Sequence, residues 1–289
     1  MALSAGDLVL CSGTLPRGTP FRRRVAAASA AGFGAISLWG RDVQAARDDG
    51  LSEADMGRML ADHGLQVAEL DPAWWWLPGA FDVHIPPEVD SLDVFRFGEP
   101  EMFAVAEALR ARSLNAVDVF GGDWSVEEAA EAFAGLCARA AEHGLLVHLE
   151  WLAWSRIPDL STALEIVELA GAPNGGLNVD AWHVARTGTT LDDLRRVPAA
   201  RVLAVQLDDG PARPEADLVH ATLHDRVLPG DGEFDLHGLV DVLREIGTTA
   251  PFGVEVFSDA LHESGAAQAA QRAAATTRAA LAAVDWEVG

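Results

Sequence analysis

Four oxygen acceptors, Glu150, Asp180, Gln206 and Glu255, each close a short apolar run: LLVHLE, GLNVD, RVLAVQ and FGVE. Runs of this kind form buried parallel strands, and the spacing between their ends leaves room for one helix each time. As consecutive strands of a barrel, they bring the four side chains out at one rim, pointing inward, with their oxygens converging on one point. That arrangement predicts a metal site.

The elements that must position these side chains repeat along the whole chain. Four earlier runs have the same character: LVLCS (8–12), AISLW (35–39), QVAEL (66–70) and AVDVF (116–120). Between strands lie helical stretches such as FRRRVAAASAAGF, SEADMGRMLADHG, EPEMFAVAEALRARS and SVEEAAEAFAGLCARAAEHG. Several end in Gly, which accepts the left-handed conformation of a helix C-terminus. Eight such units in 289 residues suit a (β/α)8 barrel, whose functional groups gather at the C-terminal ends of the strands. An open doubly wound sheet would call for a Gly-rich turn after the first strand, yet SGTLPRGTP holds no G-x-G-x-x-G. The fold class is therefore read as α/β, a single (β/α)8 TIM barrel domain spanning 1–289.

Composition removes several functions. Asp and Glu total 44 against 21 Lys and Arg, a formal charge of −23, so the field repels nucleic acid and anionic membranes. No lysine occurs, which excludes a Schiff-base mechanism and a P-loop. No tyrosine occurs either, leaving proton transfer to carboxylates, His, Ser/Thr, Cys or water. Cys11 and Cys137 read as small core residues. MALSAGDLVLCSG lacks the basic start and long apolar run of a signal peptide, and a cytoplasmic location is expected.

Eight of the nine Trp fall at or just beyond strand ends: Trp39, Trp74, Trp75, Trp76, Trp124, Trp151, Trp154 and Trp182. Flat aromatic faces suit a ring-shaped small-molecule substrate, and Trp39, Trp75, Trp76, Trp124 and Trp182 are taken as its wall. The longest insertion, about 71–98, contains the WWW run and is either a lid over the C-terminal rim or the interface of a homo-oligomer.

Together with the strand ends, VDAWH (179–183), QLDDG (206–210) and RVLPGDGEFDL (226–236) resemble the xylose-isomerase-like superfamily. That group includes sugar phosphate isomerases and epimerases, inosose isomerases and dehydratases, and ketose 3-epimerases. The resemblance implies one divalent ion held by Glu, Asp, His and Glu, at positions matched by Glu150, Asp180, Gln206 and Glu255. Gln206 departs from the usual His, as in some 3-dehydroshikimate dehydratases of the group. An all-oxygen donor set favours Mn²⁺ or Mg²⁺ over Zn²⁺.

The resemblance also implies that Glu150 and Glu255 pass the proton and that His183 contacts substrate oxygen. Arg213, Arg226 and Arg156 are candidates for an anionic substrate group, with surface ion pairing the alternative for each. His148 is read as barrel filling beneath Glu150, and Glu69 and Asp118 as second-rank site residues. The leading expectation is an isomerase or epimerase of a hydroxy-ketone sugar or cyclic polyol acting through an enediolate. A lyase that eliminates from the same intermediate, and a non-catalytic binding or partner subunit, are the alternatives.

Overall fold

The computed structural model describes residues 3–118 and 121–286. Eight strands alternate with helices: β1 (Leu8–Leu10), β2 (Ala35–Trp39), β3 (Gln66–Ala73), β4 (Ser113–Val117), β5 (Leu146–Glu150), β6 (Gly175–Asp180), β7 (Val202–Leu207) and β8 (Phe252–Val254). Neighbours pair in parallel and in chain order. β1 meets β8 with Leu8, Val9 and Leu10 opposite Phe252, Gly253 and Val254, which closes the sheet into a (β/α)8 barrel.

Alternation along each strand sorts the side chains. In β5, Val147 and Leu149 join the apolar layer under the helices, while His148 and Glu150 turn inward to Asn115. TIM barrel interiors are filled mostly by branched aliphatics. Here a hydrogen-bonded layer takes their place. Asn178 donates to Gln206 (2.7 Å), Gln206 donates to Glu69 (3.2 Å), Glu69 meets His148 Nε2 (3.3 Å), and His148 Nδ1 meets Asn115 Oδ1 (2.9 Å). The Asn115 amide then donates upward to Glu150 (2.6 Å) and Asp71 (3.0 Å). Side chains so deep are tolerable because each makes at least one hydrogen bond, with only Asn178 Oδ1 of this layer left unpaired.

That layer explains where the observed strands depart from the apolar runs. β4 begins at Ser113, three residues before the expected AVDVF run, because Ser113 donates to Ala68 O (2.8 Å) and Asn115 is satisfied inside. The last two residues of that run, 119 and 120, lie outside the described residues. β1 ends at Leu10, since Ser12 and Thr14 bend into a 3-10 turn secured by Ser37 Oγ on Ser12 N (2.8 Å) and by Thr14 Oγ1 on Val254 O (2.7 Å). β3 runs on to Ala73, three residues beyond its expected end.

The 74–98 segment leaves β3 and crosses the C-terminal mouth of the barrel. It contains one short helix, Pro87–Asp90, whose neighbours Val89, Leu92, Val94 and Phe95 form a separate apolar cluster with Trp39, Leu223 and Phe257. Its end is seated where the Phe97 ring lies over Gly40; a Cβ there would stand 2.5 Å from the ring. Trp75, Trp76 and Trp124 belong to the main core beneath the helices. Trp76 packs edge-on against Phe133 and donates to Val117 O (3.0 Å). Among the described residues no helix is long and apolar enough to cross a membrane.

Because Trp76 is a buried core side chain, Trp76→Ala should lower unfolding free energy by about 3–5 kcal/mol. Urea denaturation would measure this. A change under 1 kcal/mol would show that the indole is not part of the packed core.

Candidate active site

β5 and β6 end on Glu150 and Asp180, β7 is followed by Asp208, and β8 by Glu255. All four carboxylates are buried, and one guanidinium lies among them. Arg226 Nη1 donates to Asp208 (2.5 Å) and Asp180 (2.9 Å) and lies 3.7 Å from Glu255 Oε2. Its Nε donates to Thr222 O (3.1 Å), and its backbone N–H to Phe257 O (3.0 Å). Asp180 also accepts from Trp182 N (2.7 Å), the cap of the helix Ala181–Arg186.

One cation for four carboxylates leaves an excess of negative charge in a dry place. Burial pushes Glu150 well above the usual carboxylate range, reinforced by Asp180, Glu255 and Asp71. Burial likewise raises Glu255 against the opposing pull of Arg226, and raises Asp208 with help from Asp180. Burial would raise Asp180 too, but Arg226 and His183 outweigh it and hold Asp180 below its ordinary value. Asp180 is thus the member of the set most favoured as an anion, and burial favours the protonated form of its neighbours.

His183 stands 3.7 Å from Glu150 and 3.9 Å from Asp180 through Nε2, with Trp154 edge-on at 5.6 Å. Burial lowers its pKa to about 4, so the imidazole is neutral near pH 7. Glu150, Asp180 and His183 each offer one ligand atom, all within 4.8 Å of one another, which is a metal-sized spacing. Two carboxylates with an imidazole, in a region short of positive charge, fit a divalent cation.

Above this cluster lies a cavity of about 90 Å³, lined by Glu150, His183, Arg226, Glu255, Asp71, Trp39, Trp154 and Phe257, and roofed by Val89, Leu92, Val94 and Phe95. Ligand pockets usually run to roughly 300–1,000 Å³, so the cavity in this arrangement is small for one. Asp71 holds Trp39 Nε1 (2.8 Å) and the Asn115 amide. Its pKa is pushed to about 7 by burial and by Glu69.

Of the sequence candidates, Glu150, Asp180, Glu255, His183 and Arg226 come together. Gln206 stands one layer below: its Oε1 accepts from Asn178 and its Nε2 donates to Glu69. Trp39 lines the cavity, but Trp75, Trp76, Trp124 and Trp182 do not. Trp75 donates to Glu99 (2.9 Å), Trp124 lies under Arg156, and Trp182 is enclosed by Arg186, Phe234 and Thr222. The WWW run is turned toward the helices because it follows directly on the long β3. Arg213 is exposed on the loop after β7, and Arg156 pairs through its backbone N–H with Asp118 (3.0 Å), away from the carboxylates. Sequence reading did not single out Asp71, Asn115 or Asp208. The signal available was the i, i+2 spacing of Glu69 with Asp71 and of Gln206 with Asp208, which puts a second polar residue on the same inward face.

A sequence profile described as xylose isomerase-like TIM barrel matches residues 25–280. The chain belongs to that family. Within the family, a 3-dehydroshikimate dehydratase of Pseudomonas aeruginosa is 27% identical over 256 residues, 87% of this chain and 37% of the relative. An inosose isomerase of Halalkalibacterium halodurans is 30% identical over 140 residues, 48% of this chain and 49% of the relative. These matches therefore span less than half the length of either relative. The crystal structure of the IolI protein with a bound zinc atom superposes with a TM-score of 0.81, covering 96% of this chain and 99% of the other at 19% identity, which is a likeness of fold.

Two measurements probe this charge arrangement. Arg226→Met removes the cation that the carboxylates share, and should destabilise the protein by about 3–5 kcal/mol at pH 8. The cost should be smaller at pH 5, where the carboxylates can take up protons instead. Equal losses at both pH values would contradict the arrangement. Asp71 keeps its proton in the folded chain up to about pH 7 and loses it near 3.8 when unfolded. The folded state then binds more protons in that window, so metal-free protein should lose stability as pH rises from 4 to 7. Asp71→Asn should flatten this slope in melting curves recorded with chelator, and an unchanged slope would mean that other groups account for it.

Proposed function

We propose that the protein is a divalent-metal-dependent isomerase or epimerase of an uncharged hydroxy-ketone sugar or cyclic polyol. The observation that carries this reading is the state of Arg226. It is the one cation among the described residues lining the cavity, and its Nη1 is already engaged by Asp180 and Asp208 and its Nε by Thr222 O. A substrate carboxylate or phosphate would face Asp71, Glu150 and Glu255 with only Nη2 of that one guanidinium left to meet it. Hydroxyl groups suit these acceptors, and the faces of Trp39, Trp154 and Phe257 suit the C–H face of a ring.

The metal would be held by Glu150 and Asp180, with Glu255 and Gln206 from the next two strands. Gln206 joins only by giving up its bond from Asn178, and His183 is near enough to serve in its place. Such an ion supplies Lewis acidity that polarises a carbonyl and offsets the charge of an enediolate. An oxygen-rich set favours Mn²⁺ or Mg²⁺, and recruitment of His183 favours zinc, the metal bound in the IolI structure.

Proton movement falls to the chain's own carboxylates. As carboxylate, Glu150 or Glu255 takes the proton from the carbon α to the carbonyl and becomes the neutral acid while the substrate becomes the enediolate. The other, as the acid, delivers a proton to the opposite face of the same carbon, or to the adjacent carbon while the hydroxyl proton of the enediolate passes to the former carbonyl oxygen. Burial raises the proton affinity of both toward the working pH, which suits a base and acid pair. Neutral His183 can exchange hydrogen bonds with a substrate hydroxyl, and the lid excludes water.

A second reading, a dehydratase, is favoured by the relative that matches 87% of this chain. Assay of inososes, ketohexoses and 3-dehydroshikimate in D₂O separates the two. The isomerase reading expects solvent deuterium at the α carbon of an uncharged ketone with no loss of water. Glu255→Gln should slow that exchange by about 10²–10⁴-fold. Turnover of 3-dehydroshikimate with loss of water, and none of the neutral ketones, would replace it with the lyase.

A further inference from the structure

Outside the barrel mouth, a second group of potential ligands joins the lid to the rest of the molecule. His220 and His224 lie four residues apart on the helix Leu218–His224, so their rings fall on one face and stack at 4.6 Å. Glu88, from the lid helix Pro87–Asp90, reaches between them: its Oε1 lies 2.7 Å from His220 Nδ1 and 3.3 Å from His224 Nε2. Each of the three offers one ligand atom, all within 4.8 Å of one another. The other nitrogen of His224, Nδ1, lies 3.1 Å from Asp259 Oδ2 on the helix Asp259–His262.

We infer that Glu88, His220 and His224 form a second divalent-metal site that fastens the lid in its closed position. Two His at i, i+4 on a helix form a preorganised chelating pair for zinc, and a carboxylate completes a common donor set. Zinc ligands at 2.0–2.1 Å in a tetrahedron stand about 3.3 Å apart, so the spacings of 2.7 and 3.3 Å need little adjustment. Asp259 accepts from Nδ1–H of His224, which fixes the tautomer that leaves Nε2 free for the ion. The group is part-exposed, so an ion can enter without unfolding.

The position gives the site its consequence. Glu88 precedes Val89, which roofs the cavity, while Thr222 and Leu223 of the His-bearing helix form part of its wall. An ion bound by all three residues exists only in the closed lid, because Glu88 leaves with the lid. Binding therefore shifts the lid toward closure by its own affinity. This site needs none of the barrel carboxylates and is independent of the reaction proposed above.

The test is zinc stoichiometry by dialysis and elemental analysis, read as a difference between proteins. The double variant His220→Ala/His224→Ala should bind one equivalent of Zn²⁺ fewer than the wild type, and Glu88→Gln should weaken the same equivalent while barely touching the fold. Hydrogen exchange of lid amides 88–97 is measured in Glu150→Gln/Asp180→Asn, which lacks two of the barrel's anionic ligands. Zn²⁺ at 100 times its Kd should slow it by about 100-fold. The His220→Ala/His224→Ala change added to that background should abolish the slowing. Equal stoichiometry in wild type and the His variant, or lid exchange indifferent to Zn²⁺ in the Glu150→Gln/Asp180→Asn protein, would overturn the site. Failure of the barrel to bind metal would instead show as one equivalent in wild type and none in the His variant.

Discussion

Everything at the mouth of this barrel depends on one buried guanidinium. Arg226 ties Asp180 to Asp208 across the ends of β6 and β7, approaches Glu255 after β8, and is itself held by the backbone oxygens of Thr222 and Glu255. A charge buried this deeply is stable only while its partners surround it. Its presence keeps Asp180 ionised and lets the neighbouring carboxylates share the remaining burden as protons. The same engagement takes up Nη1 and Nε of Arg226 within the protein itself.

Below that rim, the barrel trades aliphatic filling for amides, an imidazole and a carboxylate. The network from Asn178 through Gln206, Glu69 and His148 to Asn115 spans the interior and ends on Glu150 and Asp71. Its effect is positional. Asn115 uses one amide group to hold two carboxylates at a fixed separation, and His148 holds Asn115. Gln206 lies in this lower layer, where its amide already serves Asn178 and Glu69. Gln206 is therefore accommodated in the structure by hydrogen bonding across the barrel.

The roof is built differently. Its apolar contacts form a small cluster of their own, with Phe97 seated on Gly40 and polar ties from Glu88 to His220 and His224 and from Arg41 Nη1 to Leu92 O. Segments tied by few buried contacts open at lower free energy than the core they cover. The small cavity thus lies between a tightly bonded polar floor and a separately packed apolar roof.

The sequence alone determined the barrel, because eight apolar runs spaced by helices leave few other ways to bury both faces of a parallel sheet. It also determined that Glu150, Asp180 and Glu255 stand at strand ends, since each follows its run without a gap. Three things were decided only by tertiary structure. β4 was hidden because Ser113 and Asn115 are polar, and nothing in their own sequence reveals that partners on β3 and β5 would satisfy them. Trp75 and Trp76, read as pocket wall, lie in the core instead, because an indole after a strand serves a pocket or a core equally well until the helices are in place. Arg226 read as a candidate for a substrate anion or a surface ion pair, and its buried partners are carboxylates 18 and 46 residues away in the chain. Periodicity reports which face of an element is buried, but which polar groups meet on that face is settled only when distant strands close the barrel.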